Sequence, residues 1–129
     1  MTIQVGMTAS GSFTVADSDT AVALGSGDVP VLGTPRLIAW AEAVTVRALS
    51  GHISDDATSV GTRVELDHLG ATAVGTDVTV DVVVSEVDGR NLSFDVHVWQ
   101  TENVTIGRGT LSRVLVDRQR FLARVREAS

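Results

Sequence analysis

The sequence predicts an α+β domain in which an antiparallel β-sheet wraps around one long central helix. Three observations carry that prediction. Residues 36–50 run without a helix breaker, framed by Thr34-Pro35 before and Gly51 after. Beyond residue 51 the apolar pattern changes to a period of two and stays there for four successive segments. The helical stretch is also apolar on almost every side, so it belongs inside the protein and needs a sheet curved around it. At 129 residues the chain suits one domain, 1–129.

Residues 11–15 read as a short strand. Residues 17–29 are rich in Asp, Ser, Thr and Gly and read as a loop with room for a helical turn. Thr34 is placed to cap the central helix and Pro35 to occupy its first turn, where a missing N–H costs nothing. Gly51 ends it in the left-handed region. At 100° per residue, Leu37, Ile38, Ala41, Val44, Thr45, Ala48 and Leu49 cover an arc of about 140°. Arg36, Trp40 and Arg47 lie opposite, padded by Ala39, Ala43 and Val46, so the helix is expected to be covered almost all round.

Among the strands, Val60, Val64, Leu66 and His68 alternate with Arg63, Glu65 and Asp67. Val78, Val80, Val82 and Val84 form a second set, and Leu92, Phe94, Val96 and Val98 a third. Val104, Ile106 and residues 110–116 supply a fourth. Asp88-Gly89 predicts a type I′ hairpin, and residues 101–103 a second turn. Residues 117–127 read as a short amphipathic helix. A single buried helix followed by a meander of long antiparallel strands is the order of the hot-dog fold, whose dimers pair sheets edge to edge.

Composition narrows the chemistry. With 43% hydrophobic and 20% charged residues the chain can bury a core. No apolar run approaches the roughly 20 residues of a membrane span, and the first residues lack a signal-peptide pattern. There are no cysteines, which removes disulfides, thiolate metal sites and cysteine nucleophiles. These features predict a cytoplasmic protein with neither membrane nor metal. The net charge is −6, and all ten basic residues are arginines. That balance argues against nucleic acid as a partner. Arg113, Arg118, Arg120, Arg124 and Arg126 cluster at the C-terminal end, as a solvated helix face or as a local site for phosphates.

With no Cys, Tyr or Lys, few acid–base groups remain. His52 follows the helix end and reads as a cap; His97 shares a face with Asp95 and Ser93 and reads as a surface residue. His68 falls in phase with Val64 and Leu66, toward the helix, either as a satisfied core histidine or as a site residue. Glu42 is the one acidic residue of the central helix, within about 20° of Leu49 and 40° of Ile38 around its axis. A carboxylate at that edge needs a partner or an escape to solvent, and it is the expected partner of His68. Thr34 serves as a helix cap or offers its hydroxyl at the positive helix end, where oxyanions are stabilised.

The stretch from Gly33-Thr34-Pro35-Arg36 through Trp40-Ala41-Glu42 to Val46-Arg47-Ala48-Leu49 resembles the central helix of the fluoroacetyl-CoA thioesterase-like family. Val60-Gly61-Thr62 through His68-Leu69-Gly70 resembles its following strand, Glu86-Val87-Asp88-Gly89-Arg90 its hairpin, and Ile106-Gly107-Arg108-Gly109-Thr110 with Arg113 its final strand. The resemblance covers nearly the whole chain from Val5, and the spacing of Thr34, Glu42 and His68 is its most specific part. It implies a hot-dog acyl-CoA thioesterase with Thr34, Glu42 and His68 as a catalytic triad, the Gly61 N–H at the thioester carbonyl, Arg113 near the bound acyl-CoA, no cofactor, and a homodimer. The segment before the helix departs from the family. In members specialised for fluoroacetyl-CoA it holds phenylalanines over the acyl group, whereas residues 25–32 here contain no aromatic. The reaction is expected to carry over without the fluorinated substrate.

Two other readings compete. A hot-dog acyl-CoA hydratase also uses a His and a carboxylate, but within one short motif rather than 26 residues apart. A non-catalytic acyl-CoA or small-ligand binding module would bind without turnover.

Overall fold

The computed structural model describes residues 2–128, Glu102 by its backbone alone. Strand β1 (Thr8–Thr14) leads through a 3₁₀ turn (Asp17–Asp19) and a four-residue helix α1 (Ala21–Leu24) to the central helix α2 (Thr34–Leu49). Strands β2 (Ala57–His68), β3 (Asp77–Asp88), β4 (Asn91–Gln100) and β5 (Val104–Asp117) follow, then helix α3 (Arg118–Ala128). The five strands form one antiparallel sheet in the order β1-β3-β4-β5-β2, leaving β1 and β2 at its edges.

Period-two alternation places one row of each strand under α2. Val78, Val80, Val82 and Val84 of β3 and Leu92, Phe94, Val96 and Val98 of β4 are all buried. From the helix, Leu37, Ala41, Val44, Ala48 and Leu49 complete the core. Truncating a side chain as enclosed as Leu37 typically costs about 2–5 kcal/mol, because the transfer energy is lost and a cavity remains. Gly11 lets α2 approach β1, since a Cβ there would stand 2.9 Å from both Val44 Cγ2 and Arg47 Nη1. Trp40 stacks on Phe13 with centroids 4.8 Å apart.

Several expectations change in detail. The far side of α2 is open within one chain: Ala39 and Ala43 are exposed, and Val46 is 49% exposed. The hairpin loop is Gly89-Arg90 rather than Asp88-Gly89, because Asp88 still pairs with Asn91. Gly89 alone takes a positive φ, 60°, as in a II′ turn with glycine first, not a I′ turn. The loop before α2 is organised. Thr20 caps α1 by accepting from the Ala23 N–H, Gly25 closes it at φ 71°, and bridges Thr20–Leu32 and Val31–Ala73 tie the segment down. At the end of α2, Gly51 adopts φ 81°, and the bond to the Leu49 carbonyl comes from the backbone N–H of His52, not its ring. No helix among the described residues is long and apolar enough to cross a membrane.

Candidate active site

Thr34 is not the N-cap. Gly33 takes that place with extended backbone, and Thr34 is the first helical residue, so its hydroxyl is free for another partner. That partner is His68 at the end of β2, whose Nδ1 lies 2.7 Å from Thr34 Oγ1. The strand phase therefore does aim His68 at the helix, but at its first turn. His68 Nε2 is buried with no hydrogen-bond partner. Desolvation pushes the imidazole below its usual pKa, and the nearby Gly70 backbone opposes part of the shift. The ring is consequently neutral at pH 7, the form that accepts a proton.

A cavity of about 320 Å³ opens at this pair. Gly27, Val29, Val31 and Leu32 line it from the segment before α2, with Leu69 and Gly70 opposite. The aromatic-free stretch noted in the sequence thus forms the wall beside the hydroxyl and the imidazole.

Glu42 sits two helical turns on from Thr34, about 12 Å along the axis at 1.5 Å per residue. Its Oε2 lies 3.4 Å from Nη1 of Arg113 on β5. The Arg113 side chain is only 7% exposed. Its Nε donates to Ser59 Oγ at 2.8 Å, and Nη2 donates to the Ser59 carbonyl at 3.1 Å. Burial lowers the guanidinium's pKa, and Glu42's charge works against that; the group stays charged, as arginine does in proteins. Gly61, directly opposite Arg113 in the β2–β5 ladder, leaves the space Glu42 occupies, since a Cβ there would stand 2.5 Å from Oε2.

The five residues singled out in the sequence thus form two groups within one chain. Thr34 and His68 meet at one end of β2; Glu42, Gly61 and Arg113 meet near its middle. Arg113 directs donors to Ser59 and Glu42 and so holds the Glu42 carboxylate in place. Ser59 was not anticipated; its one sequence signal is that it lies two residues before Gly61, on the same face of the strand. His97 lies on the outer sheet face, its Nε2 2.8 Å from Thr105 Oγ1, away from both groups. Among the described residues no group of three His, Asp or Glu side chains is placed to hold a metal ion.

Comparisons with known proteins agree with this architecture. The chain superimposes on the solved structure of the fluoroacetyl-CoA thioesterase FlK with a TM-score of 0.93 and 27% identity, covering 100% of this chain and 99% of that one. A hypothetical thioesterase-superfamily protein from Thermus thermophilus matches at TM-score 0.91 and 21% identity, over 98% of this chain and 93% of that one. A hot-dog-like protein from Thermanaerovibrio acidaminovorans matches at 0.88 and 24%, over 96% and 91%. No curated protein sequence matches. The model of the fluoroacetyl-CoA-specific thioesterase family matches residues 15–119. The fold is the hot-dog fold, and the chain belongs to the fluoroacetyl-CoA-specific thioesterase family.

Proposed function

We propose that the protein is a cytoplasmic, homodimeric acyl-CoA thioesterase that hydrolyses a small acyl-CoA at Thr34, Glu42 and His68 and is not specialised for fluoroacetyl-CoA. The observation that carries this reading is the 2.7 Å contact between Thr34 Oγ1 and His68 Nδ1. A hydroxyl bonded to a neutral imidazole is the arrangement of an activated nucleophile and its base. His68 takes a proton from the attacking hydroxyl, either that of Thr34 or of a water it holds, as oxygen adds to the thioester carbonyl. The oxyanion forms near the N-terminus of α2, where backbone N–H groups favour negative charge. The C–S bond then breaks, and the CoA thiolate receives the proton from His68. If Thr34 attacks, water releases the acyl group by the same proton route.

Glu42 would orient His68 or activate water, and a dimer would bring it to the pair. Edge strand β2 exposes residues 61–65, beside the open face of α2 at Ala39, Ala43 and Val46. Unpaired strand edges and apolar helix faces both call for cover. Antiparallel pairing of two β2 strands, centred between residues 64 and 65, would set Gly61 of one chain opposite the partner's His68. Glu42, held by Arg113 behind Gly61, then enters the cleft of the partner's Thr34 and His68 pair. The cavity walls of Gly27, Val29, Val31 and Leu32 favour a compact acyl group and offer no aromatic gate.

The test is release of free thiol across acyl-CoAs graded in length and polarity, fluoroacetyl-CoA included. Release from short acyl-CoAs, with no preference for the fluorinated one, is expected. Binding without release from any of them would make the protein a ligand-binding module.

A further inference from the structure

Helix α3 departs from β5 at a fixed angle. The Arg118 N–H donates to the Asp56 carbonyl at 2.8 Å, and Asp117 Oδ1 accepts from the Arg120 N–H at 2.9 Å. The β3–β4 turn is tied to the same strand, since the Leu115 N–H donates to the Arg90 carbonyl at 2.9 Å. These anchors bring Arg90, remote in sequence, beside the successive-turn residues Arg120 and Arg124. The three arginines line one hollow of about 200 Å³ together with Phe121, Val116 and Asp117. A second hollow of about 320 Å³ shares Arg90, Val116 and Asp117 with it.

Three arginines line this hollow with one acidic residue, Asp117, whose carboxylate already caps α3, while Asp56 lines the adjoining hollow. None of the three arginines takes part in an ion pair among the described residues. On a chain of net charge −6, this hollow concentrates positive charge. Planar, permanently charged forks suit phosphate oxygens, and the exposed ring of Phe121 offers a platform for a base. From Arg113, beside Glu42, to Asp117 is four strand residues, about 13 Å at 3.3 Å per residue. In the dimer proposed above Gly61 and Arg113 stand opposite the partner's His68, so the hollow lies within the reach of a pantetheine arm from that centre.

We infer that Arg90, Arg120, Arg124 and Phe121 form the subsite for the 3′-phosphorylated adenosine diphosphate end of coenzyme A, an inference that rests on the acyl-CoA reading above. It predicts that the phosphorylated nucleotide, and not the acyl group alone, contributes to substrate affinity.

The test is calorimetric binding of coenzyme A and of dephospho-coenzyme A, which needs no turnover. Wild-type protein should bind coenzyme A more tightly than the dephospho form. Substituting Arg90, Arg120 and Arg124 together by alanine should weaken coenzyme A binding by about ten-fold or more, as expected when several charged phosphate contacts are lost, and abolish the difference between the two ligands. Arg126→Ala removes one charge from α3 outside the hollow and should change binding less than two-fold. A triple variant that binds coenzyme A as the wild type does would overturn the proposal. So would a triple variant impaired only toward thioesters of an acyl carrier protein, since the cluster would then serve an acidic protein. Wild-type protein that binds coenzyme A through these arginines but releases no thiol would refute hydrolysis and leave this subsite standing.

Discussion

Thr34 Oγ1 and His68 Nδ1 lie 2.7 Å apart, joining the first turn of the central helix to the last residue of an edge strand 34 positions later. The contact exists because Gly33, not Thr34, occupies the N-cap. A capping threonine would have turned its oxygen back to the helix N–H groups.

That placement separates rate from stability at Thr34. Thr34→Ala should lower kcat by about 10²-fold or more, as expected for a group acting with a general base. Its effect on folding should be that of one lost hydrogen bond to His68, about 1 kcal/mol, with no further loss from the helix end. Thr34→Ser, which keeps the hydroxyl, should be mild. Steady-state kinetics beside chemical denaturation checks both, and a stability loss larger by a full cap's worth would place the hydroxyl back on the helix.

The neutral, desolvated His68 predicts a pH signature. The imidazole's pKa is lowered in the folded state, so kcat/KM should fall on the acid side with a midpoint below 6.5 and level off as pH rises above it. Stability follows the same sign. The unfolded chain binds the proton first, so stability present above pH 6.5 declines as pH falls toward the folded-state pKa. His68→Gln should flatten that decline in denaturation measured between pH 5 and 7.5. An activity midpoint at or above 6.5 would show that the folded site does not desolvate the ring.

Gly61→Ala should displace the Glu42 carboxylate, because its Cβ would meet Oε2 at 2.5 Å. A drop in kcat together with some loss of stability is the expected result, because the buried Arg113 guanidinium loses its carboxylate. Wild-type turnover would mean that the Glu42 position against β2 is not needed.

The two groups of site residues predict complementation between subunits. Glu42→Ala and His68→Ala should each be nearly inactive. Mixing them through denaturation and refolding should restore activity, because a mixed dimer contains one site in which both residues are intact. Recovery absent in a refolded mixture shown to contain mixed dimers would place each complete site within one chain.

Much of this was legible in the sequence, and for physical reasons. The alternation of Val78 to Val84 and of Leu92 to Val98 names the buried row of each strand, and the Pro35 and Gly51 signals bound the central helix closely. His68 could be aimed at the helix by phase alone. What periodicity could not supply was long-range pairing. Arg113 reaches Glu42 across 71 residues, and nothing in either segment specifies the other. Helix α1, though its ends are marked by Thr20 and Gly25, gives no periodic signal because four residues are too few for one. The hairpin type was missed because the loop starts one residue later than the Asp-Gly pair suggests, at Gly89.

His68 is proposed here as the base of a thioester-hydrolysing site. The most direct measurement of that role is the kcat for thiol release by His68→Ala beside His97→Ala, on the best short acyl-CoA substrate. His68→Ala should lose about 10²–10⁴-fold, the usual range for a lost acid–base group, while His97→Ala, on the outer face of the sheet, should match the wild type. A His68→Ala protein that turns over like the wild type, or a His97→Ala protein that does not, would show that His68 is not the base.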